Sequence, residues 1–280
     1  MGATLSEYCV YRVTPPDYVH ALGVDEVALS LSVTLMKSGH GGEIIFTVSD
    51  IRNRTPIVLL PQLLSPSDLT LLPSNAILYN LEQVSSESPW LTNEYVQLLR
   101  KFKLWDYSSL NQLAWSKLGI RKVKICPIGY APELTRIKCV SEDIDVLFYG
   151  SLNDRRTSIL SQIQQRGLRV VHAFGVYGEK RDELIARSKI ILNIHFYEAQ
   201  VLEIVRISYV LANRKCVVTE GPLAEYSFLK DGLIVASYTE IPNACVQLLS
   251  HKDTLTSIAQ KGFEIIKSHS LDKILPTLLL

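Results

Sequence analysis

The 280-residue sequence has no excess of charge of either sign. It carries 29 lysines and arginines against 28 aspartates and glutamates, a net charge of +1. Nucleic-acid binders usually show a basic excess or stripe; none is visible, and no nucleic-acid partner is expected. Cysteine is sparse: five residues, Cys9, Cys126, Cys139, Cys216 and Cys245, are scattered along the chain. No CxxC pair or Cys/His cluster is present, which argues against a zinc site. An odd, unframed set suits a reducing compartment, so a cytoplasmic location is expected. The opening MGATLSEYCVYR lacks the apolar core of a signal peptide. No uninterrupted apolar run approaches the ~20 residues of a membrane span. No GxGxxG follows a strand, which disfavours a dinucleotide oxidoreductase. The nominal DxD in Glu142-Asp143-Ile144-Asp145 precedes a strand and reads as solvated linker. Neither a metal nor a cofactor is expected. Repeats and low-complexity tracts are absent.

What is present is 47% hydrophobic residues, enough for one large core or two smaller ones. In the first half, short apolar strands alternate with helical patterns, which points to α/β architecture. Strands are expected at 8–14, 44–48, 57–60, 76–79, 104–105 and 123–125. The run Ser38-Gly39-His40-Gly41-Gly42 reads as the end of a helix, and 62–75 reads as a loop. Residues 131–143 are polar and aperiodic and form a linker. This gives an N-terminal domain over 1–130, a C-terminal domain over 144–265, and an apolar tail, 266–280, that packs back on the body. A peripheral membrane contact through that tail stays open.

Residues 188–220 organise the second half. Ile190-Ile191-Leu192 has the length and β-branching of a buried strand. Asn193 and His195 follow at once. A helical pattern then runs from Val201 to Asn213, interrupted at its centre by Glu203 and Arg206, which share one side of the helix. Cys216-Val217-Val218 is the next strand and ends on Glu220. Polar groups thus gather at the carboxyl ends of strands, where ligands bind in open α/β sheets. Earlier in this half, Phe148-Tyr149 runs into Gly150-Ser151, and Asn153-Asp154 caps a helix that opens on Arg155-Arg156. Two arginines there oppose the helix dipole, which favours a nearby anion.

Several segments resemble small bacterial-type GT-B glycosyltransferases of the group-1-like, nucleotide-sugar-dependent kind. They are Tyr79-Asn80-Leu81-Glu82-Gln83, Trp105-Asp106-Tyr107-Ser108 with Asn111, Pro127-Ile128-Gly129-Tyr130, and Tyr18-Val19-His20 with Glu26. The second half adds Phe148-Tyr149-Gly150-Ser151 with Arg155-Arg156, and Leu192-Asn193-Ile194-His195 with Glu203 and Arg206. The resemblance spans about residues 8–265. It implies two Rossmann-like domains facing across a cleft, and metal-independent transfer of a sugar from a nucleotide-sugar to a saccharide or glycolipid in polysaccharide biosynthesis. The donor site would comprise Gly150, Ser151, Arg155, Arg156, Asn193, His195, Glu203, Arg206 and Glu220. His20, Glu82 and Asp106 would be the catalytic candidates, His20 or Glu82 as base. One departure stands out. Many retaining members carry two glutamates separated by seven residues; counted from Glu198 or Glu203 the partner position is Arg206 or Leu211, and aligned on Ala212-Asn213 it is Tyr209. Glu220 could replace the missing ribose ligand or be a simple helix-approach acid. A sugar-nucleotide epimerase and a non-catalytic nucleotide- or glycan-binding module are the alternatives.

Overall fold

The computed structural model describes residues 7–85, 87–196 and 201–279. The chain divides into two compact units. One comprises residues up to Glu133 together with those from Ser270 onward; the other is Leu134–His269.

The first unit is built on six parallel strands: β1 (Tyr8–Arg12), then α1 (Asp25–Lys37), β2 (Gly41–Ile45), β3 (Thr55–Leu59), α2 (Pro66–Leu71), β4 (Ile77–Asn80), α3 (Asn93–Leu99), β5 (Lys103–Asp106), α4 (Ser109–Lys117) and β6 (Val123–Ile125). Their order in the sheet is β2-β1-β3-β4-β5-β6. The central strands are buried in all but Thr55, as YCVYR, TPIVL and ILYN dictate. Side-chain caps start the helices: the Thr92 hydroxyl accepts from the Tyr95 N–H (3.2 Å) and the Ser108 hydroxyl from the Asn111 N–H (3.2 Å).

The second unit has five parallel strands: β7 (Ile144–Tyr149), α5 (Asp154–Gln165), β8 (Val170–Ala173), α6 (Gly178–Ala186), β9 (Ser188–Asn193), α7 (Ile204–Ala212), β10 (Cys216–Glu220), β11 (Ile234–Ala236), α8 (Ile241–Leu249) and α9 (Lys252–Ser268). The order is β11-β10-β9-β7-β8. Val146, Phe148, Ile190, Leu192 and Val218 pack against Ile159, Ile163 and Ile241 to form its core. The entry segment is bonded onto this unit. The Thr135 hydroxyl donates to Ala212 O (2.9 Å), and the N–H groups of Arg136 and Ile137 both reach Asn213 Oδ1 (2.9 Å each). The chain then returns to the first unit as α10 (Leu271–Ile274). There the Leu271 N–H donates to Tyr130 O (2.8 Å), and Leu271 and Leu275 are buried.

Four local expectations change. Gly39 (φ +78°) ends α1 as expected, but Gly41 and Gly42, expected in the same helix end, open β2. A Cβ on Gly42 (φ +113°) would lie 2.6 Å from Ser32 O and 2.7 Å from Leu35 Cβ, so a side chain would hold the strand off the helix. The expected loop at 62–75 contains α2, started by the Ser65 hydroxyl, which accepts from the Asp68 N–H (3.1 Å). The helix expected from Val201 starts at Ile204, with Glu203 at its N-cap, because the Glu203 carboxylate is drawn into the polar cluster described below. By length and composition Val19–Lys37 would suffice to cross a bilayer, against the expectation that no run comes close. More than half of its most apolar window is buried, and it serves as a core helix of the first unit.

Candidate functional site

The second sheet reverses direction between β7 and β9. From β7 the chain steps to β8 on one side; β9 and β10 lie on the other. Such a reversal leaves a crevice at the carboxyl ends of the two strands. Gly150 and Ser151 follow β7 there, Asn193 ends β9 with His195 just beyond it, and Glu220 ends the neighbouring β10.

Asn193 is the hub. Its amide donates to Glu203 Oε2 (2.9 Å) and Thr219 Oγ1 (3.1 Å), and its Oδ1 accepts from Arg206 Nη1 (2.8 Å). The sequence placed Glu203 and Arg206 on one side of a helix; the structure joins them through Asn193. His195 is fully buried. Its Nδ1 lies 3.1 Å from Glu203 Oε2 but outside hydrogen-bond geometry, and its Nε2 has no partner among the described residues. Burial alone would raise the Glu203 pKa; His195, Arg206 and Asn193 outweigh it and hold the carboxyl below its ordinary value. Among the described residues Arg206 makes a single hydrogen bond, to Asn193, and its guanidinium lies over Tyr149 at 5.3 Å and Phe148 at 5.8 Å. Gly150 makes room for it: a Cβ there would come within 2.9 Å of Arg206 Nη2.

The other two arginines have internal tasks. Arg155 forms a two-pronged pair with the Glu220 carboxylate, one arm at 2.6 Å, and donates to His195 O (3.2 Å). Tyr238 lies under it at 4.1 Å. Glu220 is buried and also accepts from the His195 N–H (3.2 Å). Its carboxylate is therefore engaged in the pair and is no open ribose ligand. Arg156 is buried, donates to Ile194 O (2.9 and 2.6 Å) and Ser151 O (3.0 Å), and touches Glu203 (3.3 Å). Burial, helped by repulsion from Arg206 and Arg155, lowers its pKa to about 10. It ties the end of β9 to the loop after β7, and the anion expected beside Arg155-Arg156 is supplied by the protein's own carboxylates. Tyr209, at the position the family pattern gives to a second glutamate, donates instead to Asp182 Oδ2 (2.8 Å). Glu198 lies outside the described residues.

In the first unit, Glu82 follows β4 and is half-buried. No hydrogen bond reaches its carboxylate among the described residues, and burial pushes its pKa from an ordinary 4.5 up to about 7. Asp106, expected as a second catalytic carboxylate, is fully buried. It accepts from Trp115 Nε1 (2.7 Å), Asn80 Nδ2 (2.7 Å), the Ser108 N–H (2.9 Å) and Asn111 Nδ2 (3.0 Å). Burial raises its pKa to about 6 despite these donors. Closed from solvent, it fastens β4, β5 and α4 together, which corrects the catalytic expectation. His20 lies in a short 3-10 helix and meets Tyr18 edge-on, ring centroids 5.5 Å apart. Among the described residues no group of three or more His, Cys, Asp and Glu side chains is placed to hold a metal. Asn153 caps α5 as expected and also donates to Phe196 O (3.1 Å); Tyr238, which belongs to no charged motif and carried no signal in the sequence, donates its hydroxyl to Arg155 O (2.8 Å).

No family model matches the chain. It is 29% identical over 188 residues to the uncharacterized protein R358 of Acanthamoeba polyphaga mimivirus, covering 65% of each chain. A second mimivirus protein, L138, is 29% identical over 144 residues, 49% of this chain and 16% of its own. The chain thus spans less than two thirds of the length of both. Among solved structures it is similar to Anabaena HepE in complex with UDP and glucose, with a TM-score of 0.64, 10% identity and 98% of both chains covered. It is also similar to AviGT4, a glycosyltransferase involved in avilamycin A biosynthesis, with a TM-score of 0.60, 14% identity and 97% and 98% covered. The fold, two parallel α/β units, is that of the GT-B glycosyltransferases.

Proposed function

We propose that this chain is a glycosyltransferase that moves a sugar from a nucleotide-sugar, bound at the carboxyl ends of β7, β9 and β10, to a hydroxyl of a saccharide or glycolipid acceptor held by the first unit. The observation that carries the reading is Arg206. It stands at the switch point in a gap left by Gly150, oriented by Asn193, with most of its donors unspent among the described residues. A guanidinium so placed can meet the charge that builds on a leaving phosphate, and its orientation is set before the reaction begins. Glu203 fixes Asn193 and balances the arginine, with His195 against the same carboxylate. Glu82, with a pKa near neutrality, takes the proton of the acceptor hydroxyl. With these groups, transfer proceeds without a metal, so added EDTA leaves turnover unchanged.

The structural neighbour solved with UDP and glucose makes UDP the first nucleotide to try. Calorimetric titration with UDP, GDP, CMP, ADP and dTDP, repeated on Arg206→Ala and Glu203→Ala, tests the reading. One nucleotide binds, and Arg206→Ala weakens it by about tenfold or more. If none binds, the transferase reading falls. If binding survives both substitutions, the donor lies elsewhere.

A further inference from the structure

The first sheet has a switch point of its own. β2 lies on one side of β1, and β3 on the other. Arg12 ends β1 at this point, and its side chain is 9% exposed. Its Nη1 lies 2.9 Å from Asp25 Oδ1, at the start of α1, yet neither Nη1 nor Nε has a hydrogen-bond acceptor among the described residues. A guanidinium presents two forks of N–H donors. Each fork contains one of these nitrogens, so neither is filled. The register that pairs Tyr11 with Ile45 brings Arg12 beside Phe46, the residue after β2. The guanidinium lies 4.8 Å from the centre of that ring, which is 52% exposed.

We infer that the carboxyl end of β1 is a saccharide subsite, where Arg12, Asp25 and Phe46 hold an uncharged pyranoside ring of the acceptor. This rests on the transferase reading above and names the substrate class of its acceptor side. Buried donors without acceptors are costly, and here a ligand oxygen would supply what the chain does not. Asp25 already balances the charge of Arg12, so the site needs oxygen and not further negative charge; an anion would meet the carboxylate as well as the cation. A carboxylate and a guanidinium side by side suit neighbouring hydroxyls, each of which both donates and accepts. The exposed phenyl ring offers an apolar surface for the C–H face of a sugar, in keeping with binding sites that combine aromatic walls with a few placed polar groups.

The test is saturation-transfer NMR and titration of the full chain with the methyl glycosides of glucose, galactose and mannose, and with the methyl glycosides of glucuronic and galacturonic acid. At least one neutral glycoside binds, its uronate counterpart binds more weakly, and Arg12→Met and Phe46→Ala each weaken the neutral ligand by about tenfold. Absence of neutral-glycoside binding, preference for the uronate, or binding unchanged in both variants overturns the subsite. Phe46 is exposed, so its variant keeps the test decisive if Arg12→Met fails to fold. UDP titration of the same samples separates the two readings. Lost nucleotide binding with intact glycoside binding refutes the transferase and spares the subsite; the reverse refutes the subsite alone.

Discussion

As the proposed base, Glu82 would set activity against stability in one side chain. Burial holds its proton up to about pH 7, against an ordinary 4.5, so between those values the folded chain binds more proton than the unfolded one. Its contribution to stability is therefore full below the unfolded pKa and is lost as pH rises through 7. As a base it must be ionised, so kcat/KM should climb about tenfold per pH unit below 7 and level off above. Glu82→Gln should cost roughly 10²–10⁴-fold in turnover. In thermal melts above pH 7 it should be more stable than the parent by about 1–3 kcal/mol, discounted for partial exposure. A melt at that pH showing clear destabilisation would mean the carboxylate is held in its charged form. Gly150 gives a second test at this scale. Its φ is +145°, and a methyl group there would displace Arg206. Gly150→Ala should weaken nucleotide binding about as much as Arg206→Ala, at a backbone cost of about 1–3 kcal/mol; unaltered affinity would remove Arg206 from the site.

At the level of strands and helices, the close approaches are set by glycines. Gly262 in α9 meets Gly232 before β11: a Cβ on Gly262 would lie 2.4 Å from Gly232 O and 2.7 Å from Leu211 Cδ2. Alanine raises helix propensity by about 1 kcal/mol, yet Gly262→Ala should lower stability by about 1–3 kcal/mol through overpacking, read as a shifted urea midpoint. The alternation of strand and helix was legible because buried parallel strands need apolar runs such as Ile190-Ile191-Leu192 and Cys216-Val217-Val218. The polar residues after those runs were legible for the same reason. Less so was what each polar residue would touch. Arg155 and Glu220 stand 65 residues apart, and only the β7–β9 and β9–β10 pairings together make them neighbours. Asp106 looked like Glu82 in sequence, a carboxylate at or just after a strand end, but Trp115 and Asn111 on α4 close over it. Arg12 and Phe46 carried no motif and meet only through strand register. Gly41 and Gly42 misled because a glycine after a helix ends it as readily as it lets a strand pass close by.

For the whole molecule, each unit has its own sheet, and the first depends on a segment that follows the second. Leu271 and Leu275 are buried in it, and Leu271 lies within 3.0 Å of where a Cβ on Gly129 would be. Ending the chain at His269 should therefore weaken the first unit by about 3–5 kcal/mol, the value of two buried leucines, and leave the second intact. Limited proteolysis would then cut sites in 7–133 well before those in 134–269; equal protection of both would refute the dependence. The same return has a consequence in time. A ribosome delivers the first sheet long before α10, but completes the second unit as a single uninterrupted stretch. The part begun first is finished last, and until Leu271 and Leu275 emerge the first unit lacks the two side chains that complete its packing.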